Sequence, residues 1–329
     1  MAKVYDAEIL PIWTERFARL LLRGLEFPPK AMVLDVGCGV GYQSLEILRR
    51  MDEQGRIIAI DPLSTLLNEA RTKAGPLSGR RIFFRSDGFD PRLPFDDDVY
   101  DLVVSNLGLM EVEDPAATLG EFARVTKPGG RVAATLPLAG TFVEFYDLFR
   151  EALLKQDRND ALTRLDQWLV RYPTVDEARR WLEWAGLEEA TIEHETFTLV
   201  FKSSREFFFA PVIEYGPLAT WKELAGRGQE MQDIFWQIKE AIDAYFAGST
   251  FAVTVNAACL RGRKVARDEL ADEPTPSPEV TTGRRVLPVG APPDEPLDDE
   301  IALGTGEIDV LTVSSQDRGF VDDDDEETR

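Results

Sequence analysis

In this 329-residue chain, the run Leu34-Asp35-Val36-Gly37-Cys38-Gly39-Val40-Gly41 has the residue types and spacing to do chemistry. It ends a short apolar run, Ala31 to Val36, and opens a helical pattern from Tyr42 to Met51 with Leu45, Ile47, Leu48 and Met51 apolar. Glycines there let the backbone turn sharply and let a ligand approach the loop N–H groups and the helix N-terminus. A dinucleotide fingerprint would also need glycine or alanine at position 42, so Tyr42 argues against NAD or FAD. Asp61 ends a second apolar run 24 residues past Gly37, where a carboxylate can accept from both hydroxyls of a ribose. Asp87-Gly88 follows a third run and Ser105-Asn106 ends a fourth. Singly, each reads as a cap or turn residue. Together, at the carboxyl ends of neighbouring strands, they describe a pocket for an adenosine-like ligand.

The elements that must position these groups follow from hydrophobic periodicity. Trp13 to Gly24 is helical, stopped by Gly24 and then Pro28 and Pro29; strands are expected at 31–36, 56–60, 81–85, 100–105 and 131–136. Helices are expected at Leu63 to Lys73 and Pro115 to Thr126, the latter with Asp114 as N-cap and Pro115 at its first position. This alternation predicts an α/β, doubly wound, mostly parallel Rossmann-like sheet with ligands at the carboxyl ends of its strands. Beyond Leu136 come helical stretches (141–154, 160–170, 174–185), a strand at 191–201, and a broken helical block opened by Ser203 and Glu206 and running to Ala247. Phe251 to Leu260 is the last strand. The block between the last two strands is expected to lie as a lid over the strand ends.

Taken as an ordered set, VLDVGCGVG, IAID, Leu93-Pro94-Phe95 leading into Tyr100-Asp101-Leu102-Val103-Val104-Ser105-Asn106, and Asp114-Pro115 through Lys127-Pro128-Gly129-Gly130 resemble the class I S-adenosylmethionine-dependent methyltransferases. Within these the chain is similar to the subgroup sharing the architecture of the ubiquinone and menaquinone biosynthesis methyltransferases. The likeness spans roughly residues 30 to 137 and implies a seven-stranded sheet with S-adenosyl-L-methionine as cofactor. It also implies roles: Gly37, Cys38 and Gly39 in the loop that embraces the methionine part, Asp35 orienting it, and Asp61 on the ribose hydroxyls. Asp87 would take the adenine amino group, the Ser105-Asn106 segment would line the reacting face, and Tyr5 would touch the cofactor from an N-terminal segment. Pro62-Leu63 after Asp61, and Ser86-Asp87-Gly88, depart from the subgroup's usual small polar pair and Gly-Asp-Ala. Neither change removes a side chain with an expected contact.

The layout beyond the fifth strand loosely resembles the enzymes that methylate the malonyl carrier-protein thioester, and also quinone and other lipid methyltransferases. No Asn/Asp-Pro-Pro-Tyr sequence follows the fourth strand, there is no Pro-Cys pair for cytosine chemistry, and two isolated cysteines do not suit arsenic methylation. A small molecule, a carrier-bound acyl group or a protein side chain remains as acceptor. Aromatic groups crowd the region past the fifth strand; most are expected in the core, and any that face the strand ends make an apolar pocket. The sole histidine, His194, could act as a general base but sits on an alternating strand, where such a residue is more often structural or at the surface. No catalytic residue is assigned and no metal is expected.

Formal net charge is −22, with 44% apolar and 29% charged residues. Residues 265 to 329 hold 19 acidic against 5 basic side chains and seven of the twenty prolines, a net of −14 that leaves −8 for the first 264. Such a tail has little apolar area to offset the entropy of ordering and is expected to be disordered. The expected division is a methyltransferase domain over 1–264, with core 30–137, lid region about 138–248 and last strand about 250–260, followed by the tail. Acidity disfavours a nucleic-acid substrate. With no membrane-length apolar run, no signal-peptide start, and only Cys38 and Cys259 as thiols, the chain is expected to be cytoplasmic. An active methyltransferase on an apolar or carrier-bound small molecule is one reading. The other is a cofactor-binding sensor or scaffold whose tail docks a protein partner, through Ile308, Val310 and Leu311.

Overall fold

A computed structural model of the chain describes residues 2–265 except Asp90 and Gly248. The expected disordered tail and its docking residues lie outside the described residues. Helices are α1 (Ala2–Val4), a π-helical segment (Tyr5–Thr14), α2 (Glu15–Leu22), α3 (Tyr42–Arg50), α4 (Ser64–Ala74), α5 (Pro115–Val125), α6 (Val143–Lys155), α7 (Asn159–Leu169) and α8 (Val175–Trp184). After these come α9 (Ser204–Phe209), α10 (Pro211–Glu214), α11 (Leu218–Ala225) and α12 (Gly228–Tyr245). Strands are β1 (Met32–Val36), β2 (Arg56–Ile60), β3 (Ile82–Arg85), β4 (Tyr100–Asn106), β5 (Thr126–Pro137), β6 (Leu187–Phe201) and β7 (Phe251–Lys264). They form one seven-stranded sheet in the order β3-β2-β1-β4-β5-β7-β6, parallel through β5, with β7 antiparallel to both β5 and β6.

Strand period decides which residues meet which layer. Val33, Leu102, Val104 and Ala133 join the layer holding α2, α3, α4 and the later helices; Leu34, Val36, Val103, Val132 and Ala134 face α5 and α8. The sheet is therefore covered on both faces, which is why its central strands read as apolar runs. Asp114 caps α5 as expected, accepting from the Ala117 N–H at 3.0 Å. Thr174 and Glu177 form a reciprocal capping box on α8.

Several boundaries differ from the sequence expectation, among them the end of β7, which runs to Lys264 and not Leu260. The N-terminal helix begins well before Trp13, running through Tyr5–Thr14 with wide turns and with Pro11 inside it. A proline has no N–H to donate, and π geometry is rare and concentrated at functional sites. β5 starts at Thr126, because Thr126 pairs with Tyr100 before a bulge, and β6 starts at Leu187, because it pairs with β7 along its whole length. Both extensions depend on partner strands that local sequence does not reveal.

Arg261 on β7 ties the N-terminal helix to the sheet. Its Nη2 donates to the carbonyls of Leu20 and Arg23 at 2.8 and 2.9 Å, satisfying acceptors left free where α2 ends. α10 packs on the Tyr5–Thr14 segment, so the helical block between β6 and β7 reaches the end of the molecule where that segment lies. Most of the aromatic rings past β5 are core, as expected: Trp221 is fully buried and stacks on Phe145 with centroids 3.9 Å apart. Trp184, Phe209, Trp236 and Tyr245 are exposed.

Candidate functional site

The turn from β1 into α3 is built by glycines at positive φ: Gly37 at 72°, Gly39 at 52° and Gly41 at 77°. Each position has its own reason. A Cβ on Gly41 would stand 2.9 Å from the Ala70 Cβ, so this glycine seats the turn against α4. A Cβ on Gly37 would lie 3.5 Å from Gly108 Cα, where the connection after β4 passes close. A Cβ on Gly39 would meet nothing within 4 Å, and this residue lines a cavity with Tyr5, Leu10, Thr14, Gly37, Cys38, Val40, Tyr42, Gln43 and Asn106. The surface beside Gly39 is thus open backbone, which suits a ligand that must come close.

The turn's N–H groups are not free, contrary to the sequence expectation. Gly37 and Cys38 donate to the Ile60 carbonyl at 2.9 and 3.0 Å, and Gly39 donates to Asp61 Oδ2 at 2.9 Å. Asp61 Oδ1 accepts from the Leu63 N–H at 2.9 Å. Its carboxylate therefore braces the glycine turn against the start of α4, and each oxygen keeps a second lone-pair direction for a hydroxyl. Burial raises its pKa, opposed by the bonds from Leu63 and Gly39.

Asp35 does not line the cavity. It is fully buried on β1, accepting from Gln43 Nε2 at 2.5 Å and from the Ser44 hydroxyl, both on the first turn of α3. Burial pushes its pKa up to about 7 against those two hydrogen bonds, with the Asp61 charge adding to the rise. The unfolded chain ionises this group near 3.8, so between that value and about 7 the folded state binds more protons. Stability from this site is complete below the unfolded value and is lost as pH rises through about 7. The groups around the carboxyl are Gln43, Ser44, Asp61 and the Cys38 thiol. Thermal melting of ligand-free protein should show a midpoint falling between about pH 4 and pH 7, and Asp35→Asn should flatten that fall. Identical pH profiles in the two proteins would refute the assignment.

Asn106 ends β4 in the cavity wall. Its Oδ1 accepts from Thr135 Oγ1 at 2.6 Å, and its Nδ2 donates to the Thr14 carbonyl at 3.0 Å. The next residue, Leu107, is left-handed at φ 70°, an uncommon conformation for a residue with a side chain. Ser105 is buried with its hydroxyl unpartnered, packed where a Cβ on Gly108 would touch it. Tyr5 hydrogen-bonds Thr14 Oγ1 at 2.7 Å, and Lys73 on α4 pairs with Asp6. Together with Asn106, these bonds fasten the π-helical segment over the glycine turn.

Like Asp61, the expected cofactor residues Pro62, Asp87 and Gly88 lie outside the cavity lining. Asp87 pairs with Arg85 at 2.6 Å, outside the cavity lining, and Gly88 is exposed beside it. Pro62 is exposed, and its carbonyl accepts from the Ser86 hydroxyl at 3.3 Å. His194 is exposed on β6, an edge strand, in keeping with the surface reading. The Cys38 thiol is pushed well up by burial, first, and by the Asp35 and Asp61 charges, which removes it as a nucleophile. Sequence reasoning missed Thr14 and Gln43. For Gln43 a signal exists: Gln43-Ser44 is a polar pair on the buried face of an amphipathic helix.

A cofactor of adenosine-methionine type fits this site by two observations: the open space beside Gly39, and the buried Gln43 Oε1, which has no partner. The cavity measures about 30 Å³. Sites for small molecules run to roughly 300–1,000 Å³, so the cavity is smaller than such a ligand. Among the described residues no group of side chains could hold a metal ion, and no helix is long and apolar enough to cross a membrane.

Comparison with known proteins gives a match over residues 33–130 to the family described as "Methyltransferase domain". The demethylmenaquinone methyltransferase of Bacillus cereus (strain B4264) is 26% identical over 187 residues, covering 54% of this chain and 78% of that protein. The demethylmenaquinone methyltransferase of Shouchella clausii (strain KSM-K16) is 27% identical over 172 residues, covering 50% and 73%. Among solved structures, the YcgJ protein of Bacillus subtilis superimposes with a TM-score of 0.49 at 17% identity, covering 76% of this chain and 99% of that one.

Proposed function

We propose that the chain, which matches the family described as "Methyltransferase domain" over residues 33–130, transfers a methyl group from S-adenosylmethionine to an apolar small molecule. A ring related to demethylmenaquinone, after which its relatives are named, is the first acceptor to test. The observation that carries this reading is a second cavity, of about 400 Å³, lined by Leu109, Met110, Val112, Pro115, Val170 and Trp181 together with the polar residues Glu113, Gln167 and Arg171. It is formed by the connection that leaves β4 at Asn106, the residue that also lines the cofactor cavity. Its size and mostly apolar lining suit a compact hydrophobic ligand.

When bound, the cofactor supplies an electrophilic methyl group on a sulfonium. The chain's own work is then placement. Asp61 holds the ribose hydroxyls while bracing the turn, Gly37 and Gly39 give the methionine part its close approach, and Asn106 with Tyr5 closes the reacting face. Proximity and alignment would supply the rate, and the proton that the acceptor sheds on methylation would pass to water, so a dedicated base is optional. The domain spans residues 1–264, with the region 138–248 as its lid, and works in the cytoplasm. Label from S-adenosyl-[methyl-³H]methionine should appear on a demethylated naphthoquinol. Label found only on a carrier-bound acyl thioester, or on nothing, would sink the acceptor assignment.

A further inference from the structure

Among the residues of the site, Gln43 has a hydrogen-bonding group still to be used. Its side chain is 4% exposed and lines the cavity, and its Oε1 has no partner. Nε2 donates to Asp35 Oδ1 at 2.5 Å, which leaves the carbonyl end of the amide turned away from Asp35. Leaving a buried acceptor unmatched is unfavourable, so such a group points to a donor that arrives with the ligand.

Which donor follows from strand order. Asp87 follows β3, Asp61 follows β2, the glycine turn follows β1 and Asn106 ends β4, in the spatial order β3-β2-β1-β4. An extended cofactor laid along these ends, with its ribose at Asp61, has its base on the β3 side and its amino-acid part on the side of β1 and β4, where Gln43 stands. That amino-acid part carries one donor group, an α-ammonium, and one anion, a carboxylate. An amide oxygen backed by a buried carboxylate attracts the first and repels the second.

We propose that Gln43 Oε1 accepts a hydrogen bond from the α-ammonium of the cofactor's methionine part, and that Asp35 is the positioning residue that fixes the amide for this contact. The assignment rests on the cofactor reading above. It gives Asp35 a purpose although it never touches the cavity, since the hydrogen bond that its carboxyl oxygen accepts orients Gln43.

Calorimetry on the full chain with S-adenosylhomocysteine and 5′-methylthioadenosine tests this, because the second ligand keeps the adenosine and thioether but lacks the amino-acid part. Gln43→Met, of near-equal volume, should weaken S-adenosylhomocysteine by roughly 10- to 100-fold, the range for a hydrogen bond to a charged group. It should leave 5′-methylthioadenosine within about twofold. Asp35→Asn should do the same, since an asparagine side chain cannot accept from both Gln43 and Ser44 as the carboxylate does. If Gln43→Met melts at a lower temperature than wild type, Gln43→Leu stands in for it. Loss of both ligands together, or no loss of S-adenosylhomocysteine, overturns the assignment while wild-type binding preserves the cofactor reading. Wild type that binds neither ligand overturns the cofactor reading itself.

Discussion

Asp61→Ala should reduce the affinity for S-adenosylhomocysteine by about a thousandfold or to below detection, and that for 5′-methylthioadenosine equally. The carboxylate holds the Gly39 and Leu63 N–H groups at 2.9 Å each, so its removal loosens the glycine turn before any ligand is considered. Hydrogen bonds to a charged group contribute about 1.5–3 kcal/mol, and the proposed ribose contacts are of this kind. Two of them amount to several factors of ten, at about 1.4 kcal/mol for each. The ribose is common to both ligands, so both must fall together. This is the opposite of the pattern expected at Gln43, and the two substitutions read different ends of one molecule. Calorimetry showing a selective loss of S-adenosylhomocysteine in Asp61→Ala would place Asp61 at the methionine end and refute the arrangement.

Gly39→Ala should weaken both ligands by about a hundredfold while leaving a folded protein. At φ 52° an added methyl strains the backbone by roughly 1–2 kcal/mol, and it meets no protein atom within 4 Å. The methyl instead stands in the open space that the cofactor must enter. A control separates the two effects: Gly79, between α4 and β3, is also left-handed at φ 74° with nothing within 4 Å of a Cβ. Gly79→Ala should lower the melting temperature by an amount similar to Gly39→Ala, about 2–4 °C per kcal/mol for a domain of this size, and leave binding unchanged. If both variants bind the cofactor as wild type does, Gly39 serves only the turn. Gly41→Ala should be the most destabilising of the three, because its methyl would meet Ala70 at 2.9 Å.

The two experiments rest on features of unequal visibility in the sequence. The glycine turn and Asp61 were legible because they are local: an apolar run, a cluster of glycines, another apolar run ending in an acid. The function of Gly39's N–H was not. The sequence suggested that the turn's donors are offered to a ligand, whereas in the folded protein they are taken by Ile60 and Asp61 from β2. A neighbouring strand had to be in register before that could be known. Asp87 shows the same limit, since its pairing with Arg85 depends on how the chain turns after β3.

What the sequence determined by itself is the order and type of the elements from β1 to β5 and the carboxyl-end placement of the glycine turn, Asp61 and Asn106. Those follow from periodicity, strand length and the few residues that tolerate a tight turn, all of them properties of neighbours along the chain. Tertiary structure alone decided three other things. It inserted β7 between β5 and β6, pairing it with β5 across more than a hundred residues of chain. It wrapped the Tyr5–Thr14 segment over the cavity, fastening it through Asn106 and Lys73 on distant elements. And it set Asp35 behind Gln43, where a carboxylate that reads as a direct contact in the sequence acts through an amide on the next helix. Each is a contact between groups remote in sequence, whose free energy exists only once the sheet has assembled.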